Sequence, residues 1–206
     1  MSYFPFFMEI KDKECLVAGG GVVALRKIEK LLPFGVKITV VSPAFCSEIE
    51  EMEGIIRIRR KFEKNDIDGK LFVIGATNDE GVNGEISALC REKNIPVNIV
   101  DDPKKCTFFF PALVKDGEFV AGFSSGGGSP LAAQYVRKKV ETAVPEGFGQ
   151  VVEVLSAVRE QVKAEIPDIQ KREKVFQELF ALALEKEGKI TEKEIDEIIR
   201  KGGGSH

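Results

Sequence analysis

Histidine is nearly absent from this chain: of 206 residues only the last, His206, is one. It follows Gly-Gly-Gly-Ser, which reads as a linker running into a tag, so 202–206 is set apart from the fold. The rest has no imidazole for acid–base work or for holding a metal. Proton transfer must use carboxylates, Lys, Tyr, Cys, Ser or water. Cysteine is also scarce. Cys15, Cys46, Cys90 and Cys106 form no CxxC pair, which argues against a metal site or a disulfide framework and for reduced, mostly buried thiols. No apolar run approaches the ~18 residues of a membrane span. The opening MSYFPFFMEIKDK lacks a basic segment followed by an apolar one, so no signal peptide is read. These absences give a cytoplasmic expectation with no membrane partner. A net charge of −3 does not favour nucleic acid as a partner either. There is no internal repeat and no low-complexity segment.

What is present is an alternation of strands and helices. ECLVAGGG is a short apolar strand entering glycines, and VVALRKIEKLLPFG continues at helical spacing with Val22, Leu25, Ile28 and Leu32 on or near one face. Gly35 ends that helix. VKITVVSP, the half-exposed IIRIRRKF, the buried-type KLFVIGAT and IPVNIVDD read as further strands, with GVNGEISALCREKN a helix between the last two. This order predicts an α/β fold, a Rossmann-type doubly wound parallel sheet over about residues 1–112. The pattern then changes. CTFFFPALVKDGEFVAGFSS reads as a hairpin turning at DG, and SPLAAQYVRKKVETAV as a helix. Helices over 150–165, 168–186 and 191–201 follow. Thr191 and Glu194 form a capping box for the last, and Leu179, Leu182 and Leu184 give the middle one an apolar side.

Ligands on such sheets bind beyond the C-terminal strand ends. Here those ends are Gly19 to Gly21, Ser42 to Ala44, Gly75 to Asn78 (with Thr77), and Asp101 to Pro103. Gly19, Gly21 and Ala24 fit G-x-G-x-x-A between a strand and a helix. The first glycine makes the turn, the second admits a pyrophosphate, and the small third residue lets helix and strand pack closely. The acidic residue that usually holds the ribose ~20 positions on is missing. Ser42 offers a hydroxyl instead, and the residues alone leave NAD against NADP open. RKIEK is read as a solvated helix face. Asp101 and Asp102 are either turn formers before Pro103 or, with no histidine available, the leading acid–base candidates.

A second glycine loop, SSGGGSP, opens onto another helix. Ser129 is a good N-cap and Pro130 a good first residue, and Arg137, Lys138 and Lys139 make the helix basic. It is either an anion site or a capped packing loop. Lys104 and Lys105 are equally open between anion contacts and a solvated loop. FFFP at 108–111 is read as core and interface packing, with stacking of a flat ligand on one ring as the alternative.

The segments CLVAGGGVVALRK, GATND, VNIVDDP, FFFPALV and SSGGGSPLAAQYVR occur in an order and spacing that resembles the precorrin-2 dehydrogenase family. That family is similar to the N-terminal part of siroheme synthase and to bifunctional dehydrogenase–ferrochelatases. The likeness runs from about residue 3 to 165, more loosely to 200. It implies a homodimer with a Rossmann domain, an intertwined dimerisation region and a helical C-terminal domain, here 1–112, 113–147 and 148–201. It implies NAD-dependent oxidation of precorrin-2 to sirohydrochlorin and, in some members, insertion of ferrous iron. The family's essential Asp falls on Asp101, and its cofactor contacts on Val22, Val23, Pro43 and Ala44; with Gly19, Gly21, Ser42 and Thr77 these form the cofactor set. The missing acidic residue is therefore a family trait. A serine phosphorylated in some members aligns with Ser125.

The resemblance also supplies a polycarboxylate substrate for the second loop, with Ser125, Gly126, Gly127, Ser129 and Arg137 as its contacts. Asp101 would accept the proton lost on oxidation, and in chelation would receive pyrrole protons or guide the metal transiently. No permanent metal site is implied. One activity against two, and iron against cobalt, stay open. A non-catalytic NAD-sensing Rossmann module is the alternative from another class. It usually wants an acidic residue after the second strand, and it gives no reason for VDDP together with a second anion loop.

Overall fold

The structure, a computed structural model, describes residues 4–204; His206 lies outside them. The chain divides into two compact units, Phe4–Phe110 and the residues from Pro111 onward.

The first unit is built on one parallel sheet. Its strands are β1 (Glu14–Ala18), β2 (Lys37–Val41), β3 (Ile55–Ile58), β4 (Phe72–Gly75) and β5 (Val97–Ile99), in the order β3-β2-β1-β4-β5. The helices are α1 (Val22–Leu31), α2 (Ser47–Glu51) and α3 (Glu80–Glu92). β1 and β4 are central and buried almost throughout, as their unbroken apolar runs require. Alternate residues of β1 feed two cores. Cys15 and Val17 pack with Leu25, Ile28 and Ile49 on one face; Leu16 and Ala18 pack with Ile86 and Cys90 on the other. Each such apolar side chain contributes about 1.5–3 kcal/mol by leaving water. Burial pushes the Cys15 and Cys90 thiols up, so both are inert packing groups.

Several details differ from the sequence expectation. Val22 does not join the buried face of α1, which is made by Ala24, Leu25, Ile28 and Leu31; Val22 is 53% exposed. β3 stops at Ile58, because the following arginines turn to ion pairs, Arg59 with Glu50 and Arg60 with Asp66. Residues 106–111, expected as strand, are irregular. They still cover the edge of β5, largely through side chains. The Val97 N–H donates to Thr107 Oγ1 at 2.8 Å, the Ile99 N–H to Cys106 Sγ at 3.2 Å, and Asn98 Nδ2 to the Phe108 carbonyl at 3.0 Å. With the Thr107 N–H donating to the Val97 carbonyl at 2.8 Å and Cys106 Sγ to the Ile99 carbonyl at 3.1 Å, the edge strand's backbone is paired without a sixth strand.

The second unit holds a hairpin, β6 (Ala112–Asp116) and β7 (Phe119–Phe123), and helices α4 (Pro130–Ala143), α5 (Phe148–Glu165), α6 (Ile169–Glu185) and α7 (Glu192–Gly203). The hairpin turns at Gly117-Glu118 rather than at DG, since Asp116 pairs with Phe119 in the ladder. Gly117 takes the left-handed φ of +50° that such a turn demands. Asp116 instead anchors α5, its Oδ2 accepting from the Gly149 N–H at 2.8 Å. The rings of Phe119 and Phe148 meet edge to face at 5.1 Å, and α5, α6 and α7 close on Val158, Val162, Val175, Leu179 and Ile199. The sequence gives no packing role to 202–206, yet Gly202–Gly204 belong to α7 and its left-handed cap. A Cβ on Gly202 would stand 2.0 Å from Val175 Cγ2. The absent side chain lets α7 close on α6.

Two stability predictions follow from these contacts. A helical glycine replaced by alanine ordinarily gains about 1 kcal/mol. At Gly149 the added Cβ would meet the Asp116 carbonyl oxygen at 2.4 Å. Gly149→Ala should therefore lose about 1–3 kcal/mol in urea unfolding. In the α7 capping box, the hydrogen bonds of Glu194 to Lys186 and Thr191 pull its pKa from 4.5 down to about 2. A depressed acid stabilises above its unfolded value and ceases to as pH falls through the folded one. Glu194→Gln should lower Tm at pH 7, with the difference from wild type shrinking between about pH 5 and pH 2.

Candidate active site

β1 ends at Ala18, level with Val41 of β2 and Gly75 of β4, and Gly75 is level with Ile99 of β5. The strand order reverses between β1 and β4, which opens a crevice at these ends. Three glycines follow β1, and they do different things. Gly19 has φ +123°, and a Cβ there would lie 2.3 Å from the Ala76 carbonyl oxygen. A Cβ on Gly20 would lie 2.2 Å from the Ala44 carbonyl oxygen. These two are required by the fold itself. Gly21 is the N-cap of α1, and a Cβ there would meet nothing within 4 Å. Its smallness serves approach from outside.

The start of α1 fits a phosphate group. No side chain caps it, whereas Asp79, Ser129, Asp168 and Thr191 cap α3, α4, α6 and α7; among the described α-helices only the short α2 and α5, which begins at the left-handed Gly147, also lack one. Uncapped N–H groups at the positive end of a helix dipole suit an anion. Beside them Val22 and Val23 are exposed at 53% and 40%, and Pro43 and Ala44 are exposed across the loop. This apolar rim suits the flat, uncharged parts of a dinucleotide.

Ser42 has an internal partner. It is buried, and its hydroxyl donates to the Ala44 carbonyl at 2.6 Å. Its proton holds the 42–44 turn, and its oxygen keeps acceptor capacity. Thr77 is likewise engaged: its Oγ1 lies 2.9 Å from Asn83 Oδ1 and accepts from the Asp79 N–H at 3.2 Å. It shapes the β4–α3 loop on the far side of Gly19.

Beyond β5 the chain turns through Val100 and Asp101. The Val100 N–H donates to the Gly75 carbonyl at 2.9 Å, tying the turn to β4. Asp101 sits in the left-handed region at φ +61° with its side chain exposed. Aspartate tolerates this conformation better than most residues. Its neighbour plays a different part. Asp102 caps the following 3₁₀ turn and pairs with Lys105 at 2.9 Å, and that hydrogen bond holds its carboxyl below the usual value. Of the two carboxylates, Asp101 is the one left facing solvent. Cys106 Sγ closes the turn from below, within 3.1 Å of the Ile99 carbonyl and 3.3 Å of the Asp102 carbonyl. Burial pushes that thiol up, so it stays a donor.

The burial of Lys27 was not legible in the sequence. RKIEK reads as a solvated face, and Arg26 is indeed exposed, but Lys27 is half-buried with its Nζ 4.5 Å from the centroid of the Phe110 ring. Burial, then the neighbouring Lys30, push its pKa below the ordinary lysine value, while Cys106 and Asp101 act the other way. The signal was its spacing, four residues after Val23 on the same helix face.

The second glycine loop lies in the other unit. Gly126 and Gly127 have φ of +64° and +84°. Ser124 Oγ accepts from the Gly126 N–H at 3.1 Å, and Ser125 Oγ from the Ser129 N–H at 2.9 Å. The Ser125 carbonyl accepts from the Gly128 N–H at 3.1 Å. Ser129 caps α4 through the Ala132 N–H at 3.2 Å. The loop thus turns much of its donor capacity inward. Arg137 stands two turns along α4, bonded to both oxygens of Glu141 at 2.8 Å.

A reversing parallel sheet, a sterically required glycine turn and an uncapped helix start define a dinucleotide-binding Rossmann unit. Residues 6–112 match a protein family described as putative NAD(P)-binding, and the chain belongs to that family. Curated relatives extend the likeness. The chain is 40% identical to a siroheme synthase of Thioalkalivibrio sulfidiphilus over 93% of its own length and 39% of the relative's. It is 37% identical to a siroheme synthase of Vesicomyosocius okutanii over 95% of this chain and 43% of that one. It thus spans about two fifths of the length of these relatives. Among solved structures it resembles SirC, a precorrin-2 dehydrogenase, with a TM-score of 0.72 and 22% identity, over 98% of this chain and all of that one. At that identity the likeness is one of fold.

The three glycines should separate in experiment. Gly19→Ala combines a backbone clash with a left-handed φ and should lose roughly 3 kcal/mol or more of stability. Gly21→Ala should cost about 1 kcal/mol or less, yet weaken NADH binding at least tenfold in a fluorescence titration.

Proposed function

We propose that the chain is an NAD-dependent dehydrogenase that oxidises precorrin-2 to sirohydrochlorin, the reaction named for its structural neighbour and in keeping with its siroheme synthase relatives. The observation that carries this reading is Asp101. It is an exposed carboxylate held in a left-handed turn at the C-terminal end of the sheet, beside the glycine crevice, in a unit whose described residues contain no histidine.

The cofactor, when bound, supplies the hydride acceptor. Gly19, Gly20 and Gly21 shape its phosphate site, the first turn of α1 donates N–H groups to it, and Val22, Val23, Pro43 and Ala44 bound its apolar parts. Oxidation also releases a proton from the macrocycle, and the Asp101 carboxylate accepts it. Asp102 keeps Lys105 paired and the turn folded, leaving Asp101 free for that role. If ferrous iron is inserted afterwards, the same carboxylate takes up the pyrrole N–H protons, with the metal as substrate.

The protein acts as a homodimer in this reading, with 113–147 as the dimerisation region. α4 has no buried residue in the single chain, and Leu131 and Tyr135, one turn apart on it, are 82% and 64% exposed. Beside it β6 and β7 form a sheet of only two strands, which is marginal alone. A second copy is the partner that covers both. Ser125, Gly126, Gly127 and Ser129 remain the proposed contacts for substrate carboxylates; Arg137 joins them only by exchanging Glu141 for the ligand. Four unpaired cysteines fit a reducing, cytoplasmic setting, and no described helix is long and apolar enough to cross a membrane.

Incubation with precorrin-2 and NAD, followed by absorbance, should yield sirohydrochlorin and NADH. Asp101→Asn should keep the fold and lower kcat by about 10²–10⁴-fold. Full activity in the folded variant would remove Asp101 from the mechanism. Ferrous iron added after oxidation then separates one activity from two: only a chelatase accelerates insertion above the rate without protein.

A further inference from the structure

The cation at Lys27 has no partner in keeping with its surroundings. The most deeply placed of the ion-paired lysines, Lys70, has Glu14 at 3.1 Å. Lys27 is half-buried, yet among the described residues it has no hydrogen bond or ion pair; its close contact is the face of Phe110. A ring face attracts an ammonium but supplies no acceptor lone pair, so a partly desolvated charge is left with capacity for an anion.

Phe110 is itself fixed. Its ring lies 5.4 Å from that of Phe108, which meets Phe72 of β4 edge to face at 5.7 Å. The pair Phe108–Phe110 therefore stands on the β4 side of β1, anchored where Phe72 is level with Cys15. Helical side chains lean toward the N-terminus, so the stem of Lys27 runs back over the turn that contains Val23, toward the strand ends. The sheet order decides which anion this reaches. A ribose and any 2′-phosphate would lie over β2, at Ser42–Ala44, on the other side of β1. The β4–β5 side holds Asp101.

We propose that Lys27 is a substrate-binding residue of this site: its ammonium, seated on Phe110, pairs with a carboxylate arm of the tetrapyrrole and sets the macrocycle edge beside Asp101. This rests on the function proposed above. The burial that lowers its pKa also strengthens the pairing, because a carboxylate entering there is held in a less polar medium than water.

Wild type, Lys27→Met and Lys27→Arg are titrated with sirohydrochlorin, read by absorbance, and separately with NADH. Lys27→Met should weaken sirohydrochlorin binding about tenfold or more, with its salt dependence reduced, while NADH affinity stays within about twofold. Lys27→Arg should recover part of the loss. The Tm of Lys27→Met should equal or exceed that of wild type, since an unpaired half-buried charge is removed. Equal sirohydrochlorin binding by wild type and Lys27→Met overturns this assignment alone. A loss confined to NADH assigns Lys27 to the cofactor and overturns it too. Failure of the wild-type protein to bind sirohydrochlorin overturns the proposed function along with it.

Discussion

The functional end of the first unit rests on a steric exclusion: at Gly19 and Gly20 the backbone passes too close to the Ala76 and Ala44 carbonyls for any side chain. The approach is reinforced by hydrogen bonds on both sides. The Gly19 N–H reaches the Val41 carbonyl at 2.9 Å, and the Cys46 N–H reaches the Gly20 carbonyl at 2.7 Å. The loops after β2 and β4 are thereby held against the turn after β1. Because β4 in turn carries Val100 through the Gly75 carbonyl, the position of Asp101 is set by the same close contact, two strands away. The crevice is thus a by-product of tight backbone packing. Gly21, just beyond the contact, is where the restriction lifts.

The two glycine loops use their donors differently. At the first, the early N–H groups of α1 are not answered by any side-chain cap. At the second, serine hydroxyls and a carbonyl answer the N–H groups of Gly126, Gly128 and Ser129. Composition makes these loops look alike, but serine is itself a hydrogen-bond acceptor, and three serines among the glycines let the second loop fold on itself. Any ligand there competes with an internal network, whereas a ligand at α1 completes an open one.

The alternation of strands and helices was readable because buried parallel strands such as LVA and FVIG are continuous apolar runs, and because helices carry local signals at their ends, such as Gly35 after the first and the Thr191–Glu194 box before the last. The glycine crevice and the exposed Asp101 were readable for the same reason: their chemistry is local. What escaped was non-local. Nothing in CTFFFP says that a thiol and a hydroxyl will help to pair the edge of β5 in place of a sixth strand. Val22 reads as one more apolar residue at helical spacing, and its exposure depends on where the sheet ends. Lys27 sits in a basic run, and only the folded position of Phe110, more than eighty residues on, takes it out of water. The bond from the Ser42 hydroxyl to a carbonyl two residues away was likewise not legible, since the sequence offers no cause to favour it.

Each unit has an apolar interior of its own. β1 serves two apolar layers within Phe4–Phe110, while Val158, Val162, Val175, Leu179 and Ile199 build a separate interior in the residues after Pro111. Cooperativity in a polypeptide comes from shared burial, so two interiors can melt as two calorimetric transitions. Nucleotide acts on only one of them by mass action, raising that transition by RT ln(1 + [L]/Kd) and leaving the other to report on the helices. Where the two melt apart, the gap between them is itself a ligand-dependent observable.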